Sequence, residues 1–161
     1  MMADTLVATV KQMSKTIITI MSVLAVAKIM TYCGMINDMA VFFVSITGSF
    51  YPFVAPIIAA LGAFITGSGT STEVLLGSLQ TAAAEQIGAS QFWLAAANST
   101  GAGIGKILSP QCIATAAAAV GLVGQDSKLL GGIIKWALLE LVIACLLVGL
   151  LSGIVPPLLG V

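Results

Sequence analysis

The sequence predicts an all-α, polytopic membrane protein with about three full transmembrane helices and additional short, broken half-helices that re-enter the membrane. Hydrophobic residues make up 59% of the 161 positions and charged residues only 7%, whereas about a quarter of the residues in a soluble domain are charged. The charges are also spaced so that residues 39–72, 86–105, 107–125 and 141–161 carry none. Stretches of this length matter because a membrane-spanning helix needs about 20 apolar residues.

The same composition argues against several classes of function. Six basic residues balance six acids without any basic cluster, which argues against nucleic-acid binding. The chain has no histidine, so we expect no His-based catalytic triad and no His metal site. Cys33, Cys112 and Cys145 are far apart, and we interpret them as small apolar residues rather than metal ligands. We therefore expect no enzyme, no metal and no cofactor.

The whole chain, residues 1–161, is interpreted as one membrane domain, with residues 1–15 as a cytoplasmic or interfacial lead-in. The first hydrophobic segment covers about residues 16–35 and is long enough to span the bilayer. Lys11 and Lys15 precede it, and the positive-inside rule places that end in the cytoplasm. Lys28 lies within the segment and has two open interpretations: it snorkels to the nearby helix end, or it faces a polar pathway.

Residues 39–66 are too long for one straight helix through an apolar core of about 30 Å. Glycine and proline interrupt them at Gly48, Pro52 and Pro56. These residues predict a short helix over 37–47, a break at 48–52 and a second helix that ends at Thr66.

The last hydrophobic segment, about residues 133–154, is the clearest predicted span. Lys135, Trp136 and Glu140 lie near its start, where an aromatic residue and charges suit a membrane interface. We expect Pro156 and Pro157 to end this helix.

The middle of the chain differs, because two polar, glycine-containing segments, 67–73 and 98–106, each lie close to a short apolar stretch. The stretches 74–87 and 111–124 are each too short to span alone. Thr70 with Glu73 fits a capping box, and Ser109 followed by Pro110 fits an N-cap with proline at the first helical position. We therefore predict that both polar, glycine-containing segments are breaks and that each is followed by a short helix with a polar start.

A helix N-terminus presents free N–H groups and partial positive charge, so it binds anions without an arginine. Short, interrupted helices of this kind hold substrates in secondary transporters. The alternative is close helix packing through small residues. The candidate substrate-binding residues are Gly67, Ser68, Thr70, Ser71, Asn98, Ser99, Thr100, Lys106, Ser109 and Gln111.

Three charged residues are candidates for proton coupling, each with a plainer alternative. Glu73 fits a helix cap, Glu85 fits a water-facing helix end, and Lys28 fits a snorkelling lysine.

These same segments resemble the lactate permease family. The resemblance lies in GAFITGSGTS at 62–71 with LLGSLQ at 75–80, in AANSTGAGIGKILSPQ at 96–111, and in AVGLVG at 119–124. It departs from the family pattern at Gly69, often Asp, at Glu73, often Asn, and at Ala102, usually Gly.

The resemblance implies a multi-pass carrier of the cell inner membrane that moves lactate or glycolate together with protons. Family members are longer, so the chain resembles their carboxy-terminal part. The alternative is a non-transporting membrane fragment that needs the amino-terminal part of the permease as a separate partner chain.

Overall fold

The computed structural model describes residues 14, 17–18, 21–122 and 124–159, and these residues form helices and turns without a strand. The expected all-α class is therefore confirmed for the described part of the chain. The helices are α1 Met21–Tyr32, α2 Met35–Thr47, α3 Tyr51–Thr66, α4 Gly69–Ile87, α5 Gln91–Ile107, α6 Pro110–Ala119, α7 Asp126–Leu151 and α8 Val155–Leu159. Apart from Ser14, the lead-in, including Lys11 and Lys15, lies outside the described residues.

The predicted break in the second hydrophobic region is confirmed. Helix α2 ends at Thr47, a 3-10 turn covers Gly48–Phe50, and α3 then runs to Thr66. Gly48 has φ 53°, a left-handed value that other residues rarely adopt. Pro52 sits in the first turn of α3, where a missing N–H is tolerated.

The two short helices differ in length from the prediction. Helix α4 has 19 residues, about 28 Å of helix, because it includes residues 69–73 in addition to the apolar stretch 74–87. Helix α6 has only 10 residues and ends at Ala119, before the expected end of its apolar stretch at residue 124.

The glycine-rich segment 98–106 is not a break, which corrects the sequence prediction. It lies inside α5, which continues to Ile107. The interruption comes one residue later, where Ser109 caps α6. Glycine is unfavourable in an isolated helix, but here Gly101 and Gly105 lie against the backbone of α3, at Pro56 and Ala60. Close tertiary packing therefore outweighs the local preference.

Helix α7 begins earlier and ends earlier than predicted, at Asp126 and at Leu151. Residues 152–154 form a turn, in which the Ser152 hydroxyl donates to the Gly149 carbonyl at 2.8 Å. Pro156 and Pro157 therefore do not end α7. They lie in the first turn of α8, where proline is tolerated.

Helix α3 lies at the centre and packs against α4, α5 and α7. A buried cluster of apolar residues, including Tyr51, Leu79 and Leu94, joins α2–α5. The Tyr51 hydroxyl donates to Gln80 Oε1 at 2.9 Å inside this cluster. Many large apolar side chains remain exposed on the outside, such as Ile65 and Trp136, as expected for a surface covered by lipid.

Two helical stretches are long and apolar enough to cross a membrane, Met35–Thr66 and Asp126–Leu151. The described part of α1 is apolar but shorter. The number of full spans stays a prediction.

Candidate functional site

The turn between α3 and α4 forms one side of the candidate site. Gly67 ends α3 with φ 67°, and Ser68 then has an extended backbone. The Ser68 hydroxyl accepts a hydrogen bond from the Ser71 N–H at 3.2 Å, the geometry of an N-cap. Ser68 is therefore the cap of α4, and the prediction that Thr70 caps it is wrong. Thr70 lies exposed in the first turn.

Glu73 does not complete a capping box. With Ser68 as the cap, the third helical position is Ser71, so Glu73 lies too far along α4 to reach back to the cap. Its carboxylate instead accepts a hydrogen bond from the Ser99 hydroxyl of α5 at 2.7 Å. This exposed bond joins two candidate residues from segments that are distant in the sequence.

Two threonines that the sequence analysis missed hold the turn in place. The Thr72 hydroxyl donates to the Ser68 carbonyl at 2.9 Å and lies 3.0 Å from the Thr66 hydroxyl. Thr72 is fully buried. The signal available in the sequence is a pair of threonines flanking the glycine-serine-glycine segment.

The start of α6 agrees with the prediction. The Ser109 hydroxyl accepts from the Cys112 N–H at 3.3 Å and donates to the Lys106 carbonyl at 2.7 Å, and Pro110 occupies the first turn. Because Ser109 is buried and already makes both bonds, its role in the described conformation is to fix the bend between α5 and α6.

A cleft of about 500 Å³ lies between these two helix starts. Four candidate residues line it: two come from the first polar segment, one from the end of the second, and one, Gln111, from the first turn of α6. Gln111 packs directly over Gly67, where a Cβ atom would meet the Gln111 side chain. The lining residues are Gly67, Ser68, Lys106, Gln111, Cys112, Thr115, Ala116 and Ala119. The last four were not predicted, although their spacing marks one face of α6.

The electrostatics of the cleft favour an anion. The side chain of Lys106 is exposed and supplies a positive charge, and no carboxylate is among the lining residues. The first turn of α6 adds the Gln111 N–H and the positive end of the helix dipole, since Pro110 has no N–H and the Cys112 N–H is bonded to Ser109. The small residues of α6 form the opposite wall of the cleft, and this wall is apolar. This arrangement can hold a small carboxylate beside an apolar surface.

The other candidates lie outside the cleft. Ser71 lines a separate apolar pocket of about 200 Å³ between α1 and the α3–α4 turn. The Thr100 hydroxyl donates to the Ala96 carbonyl of its own helix at 2.9 Å. Asn98 is only 2% exposed, and its Oδ1 atom accepts no hydrogen bond.

The remaining charged candidates are at helix surfaces. Glu85 lies near the end of α4 and accepts a hydrogen bond from Gln91 Nε2 at 2.9 Å. Lys28 is exposed on α1. Within the described ranges, no three His, Cys, Asp or Glu residues are grouped in a way that could hold a metal ion.

Comparison with known proteins identifies the family. The profile of the L-lactate permease family matches residues 1–155. An L-lactate permease of Salmonella typhi is 45% identical over 132 residues, 82% of this chain and 24% of the relative. A glycolate permease of Escherichia coli is 44% identical over 123 residues, 76% of this chain and 22% of the relative.

An L-lactate permease of Streptococcus iniae is 51% identical over 85 residues, 53% of this chain and 18% of the relative. The chain thus spans about a quarter or less of the length of these relatives, which are named as permeases and not as enzymes. No solved structure matches the chain. The family profile covers nearly the whole chain, so this membrane protein belongs to the L-lactate permease family.

Proposed function

We propose that the chain is part of a secondary transporter that carries lactate, glycolate and related 2-hydroxy monocarboxylates across the cell inner membrane by proton symport. Relatives named for L-lactate and for glycolate support this substrate class. The observation that carries the proposal is the cleft in which Gly67, Ser68, Lys106 and Gln111 come together from two distant segments.

In this proposal the substrate carboxylate lies at the first turn of α6, close to the Lys106 ammonium and the Ser68 hydroxyl. A cation and helix N–H groups are the partners that a carboxylate prefers. Lactate and glycolate share the carboxylate and the adjacent hydroxyl and differ by a methyl group. The apolar face of α6, at Ala116 and Ala119, tolerates either size. Asn98, Ser99 and Thr100 lie outside the cleft in the described conformation, so the proposal assigns them to recognition of the hydroxyl in another conformation of the transport cycle.

We further propose a multi-pass topology with three full spans in α1, in α2–α3 and in α7. The region α4–α6 carries the substrate site between them, with α6 as the half-helix whose N-terminus points to the substrate. The length of α7 and of the α2–α3 stretch supports two of these spans.

Proton coupling is assigned to Glu73. Its carboxylate is the acceptor of the Ser99 hydroxyl, so protonation changes a hydrogen bond between α4 and α5. Glu85 and Lys28 remain secondary candidates, because Glu85 is bonded across the α4–α5 turn and Lys28 lies on α1.

The direct test is uptake of radiolabelled L-lactate and glycolate by cells that lack their own lactate and glycolate permeases and express this chain. Accumulation that increases with an inward proton gradient supports the proposal. In parallel, binding of L-lactate to the purified chain is measured as a rise in its melting temperature. If the chain shows no uptake and no binding of L-lactate, the result contradicts a substrate site in this chain.

A second candidate function is a membrane fragment that transports only with a partner chain. The observation that favours it is coverage of 18–24% of the relatives' length. Co-expression with the amino-terminal part of a relative distinguishes the two. Uptake that requires both chains supports the partner-dependent form, and uptake by this chain alone contradicts it.

A further inference from the structure

The helices expose two kinds of surface. Helix α7 exposes nine large apolar side chains between Ile134 and Leu150, as expected of a helix that faces lipid. Helices α4, α5 and α6, which the structure describes completely, together expose only two, Phe92 and Ile107. Most of the exposed surface of α4–α6 is therefore small or polar, unlike a surface that faces lipid tails.

One side of α5 carries a row of small and polar exposed residues. Ala96, Ser99, Gly103 and Lys106 are exposed and follow one another at intervals of three or four residues, so they lie on one face of the helix. A Cβ atom at Gly103 would meet nothing within 4 Å. Gly103 therefore has free space beside it in the described part of the chain.

Helix α4 continues the same surface. The exposed Glu73 accepts a hydrogen bond from the Ser99 hydroxyl at 2.7 Å, and Glu85 accepts one from Gln91 at 2.9 Å, so α4 and α5 run antiparallel, side by side. Gly77 lies one turn after Glu73 on the same side of α4, and a Cβ atom there would also meet nothing within 4 Å. We call this surface the α4–α5 face; it consists of Glu73, Gly77, Ala96, Ser99, Gly103 and Lys106.

Small residues already join α5 to another helix on its opposite side. Gly101 and Gly105 lie against the backbone of α3, and each is about 200° around the helix from Gly103. Membrane helices pack closely through small residues of this kind. Gly103 presents the same kind of surface on the outside, where no described residue packs against it.

The two charges of the α4–α5 face also argue against contact with lipid. Glu73 and Lys106 are exposed, and charged side chains within membrane segments almost always face protein or a water-filled cavity. A segment that covers the face has to present hydrogen-bond donors to the Glu73 carboxylate. Lys106, at the end of the face, also borders the cleft.

The relatives supply a partner for this face. The 132 residues matched in the Salmonella typhi L-lactate permease are 24% of that protein, so most of its length lies outside the match. We propose that membrane helices from the rest of such a permease dock on the α4–α5 face, with small residues against Gly77 and Gly103 and donors against Glu73. The proposal rests on the proposed function. Because Lys106 lines the cleft as well, the docked helices close the substrate site on that side.

The experiment measures how much of the Salmonella typhi permease, expressed without its 132 matching residues, co-purifies with the tagged full chain. Gly103→Leu and Gly77→Leu each place a bulky side chain on the face, and we expect each to reduce co-purification about tenfold. Gly132→Leu is the matched control and leaves it unchanged, because a Cβ atom there also meets nothing within 4 Å but lies on α7. Since all three positions have this free space, the variants keep the melting temperature of the chain alone, which separates lost binding from misfolding.

If the rest of the permease does not co-purify with the wild-type chain, a single-chain chimera tests the same contact. In the chimera this chain replaces the 132 matching residues of the relative. We expect Gly103→Leu to lower the melting temperature of the chimera by several degrees and Gly132→Leu to leave it unchanged. Equal effects of the two variants in the chimera, or in co-purification where that occurs, would overturn the proposal.

Two further results keep the outcomes distinct. Copies of this chain that bind one another, and lose that binding in Gly103→Leu, would also overturn the proposal, because a second copy then covers the face. Lactate uptake by the chimera is measured separately. Uptake without the difference between the variants refutes the docking surface alone, and the difference without uptake refutes the transport function alone.

Discussion

Gly101 of α5 lies so close to Pro56 of α3 that a Cβ atom at Gly101 would overlap the Pro56 backbone. The same relationship repeats one turn later between Gly105 and Ala60. Without side chains between them, the two helix backbones approach closely, as small residues permit in membrane proteins. This contact holds α5 in place and therefore positions both Asn98 and Lys106.

The contact predicts that Gly101→Ala destabilises the chain by about 1–3 kcal/mol, because the added methyl group overpacks a rigid backbone contact. Gly103→Ala is the matched control on the same helix, since a Cβ atom there meets nothing within 4 Å. The melting temperature of the two purified variants in detergent checks the prediction. Equal melting temperatures for the two variants would show that the close contact is not rigid.

Local signals in the sequence were sufficient for some of these features. The break at Gly48 and the start of α6 at Ser109–Pro110 depend on neighbouring residues, and both were predicted correctly. The cap of α4 was not, because the segment 67–73 contains several possible caps. The contacts of Thr72 with Ser68 and Thr66 favour Ser68 as the cap, and these contacts exist only after the chain folds.

The helical state of segment 98–106 could not be predicted from its neighbouring residues, for a different reason. Its glycines favour a break in isolation, and only α3, some 45 residues away in the sequence, stabilises them as helix. The burial of Asn98 depends on the same contact. The residue types of the site are therefore predictable from the sequence, but the helix faces on which they lie are not, since the buried face of a helix is set by the helix that packs against it.

The bond between Tyr51 and Gln80 gives a second stability prediction. Tyr51→Phe leaves Gln80 Oε1 buried without its donor, which destabilises the fold by about 1–3 kcal/mol. Tyr32→Phe is the control, because Tyr32 is 85% exposed on α1. Chemical or thermal unfolding of both variants measures the difference. A loss of stability in both variants to the same extent would contradict a specific role for the buried bond.

The charge of Lys106 predicts how the cleft binds its substrate. Lys106→Gln replaces the cation with a neutral polar side chain that is one atom shorter, so the affinity for L-lactate falls about tenfold. Lys106→Arg keeps the charge and retains most of the affinity. Lys128→Gln is the control, because Lys128 lies at the start of α7 and bonds to Gln125. Titration of the purified proteins with L-lactate gives the affinities, and unchanged binding by Lys106→Gln would place the carboxylate elsewhere.

The Glu73–Ser99 bond predicts how proton coupling is lost. Glu73→Gln keeps an acceptor for the Ser99 hydroxyl but cannot bind and release a proton. We expect lactate uptake by this variant to lose its stimulation by an inward proton gradient, while exchange of external for internal lactate continues. Asp126→Asn, at the exposed start of α7, is the control and keeps the stimulation. Parallel assays in the same vesicles measure proton-stimulated uptake and lactate exchange separately. Full stimulation in Glu73→Gln would contradict the assignment to Glu73 and transfer the coupling role to Glu85 or Lys28, the other two candidates for proton coupling.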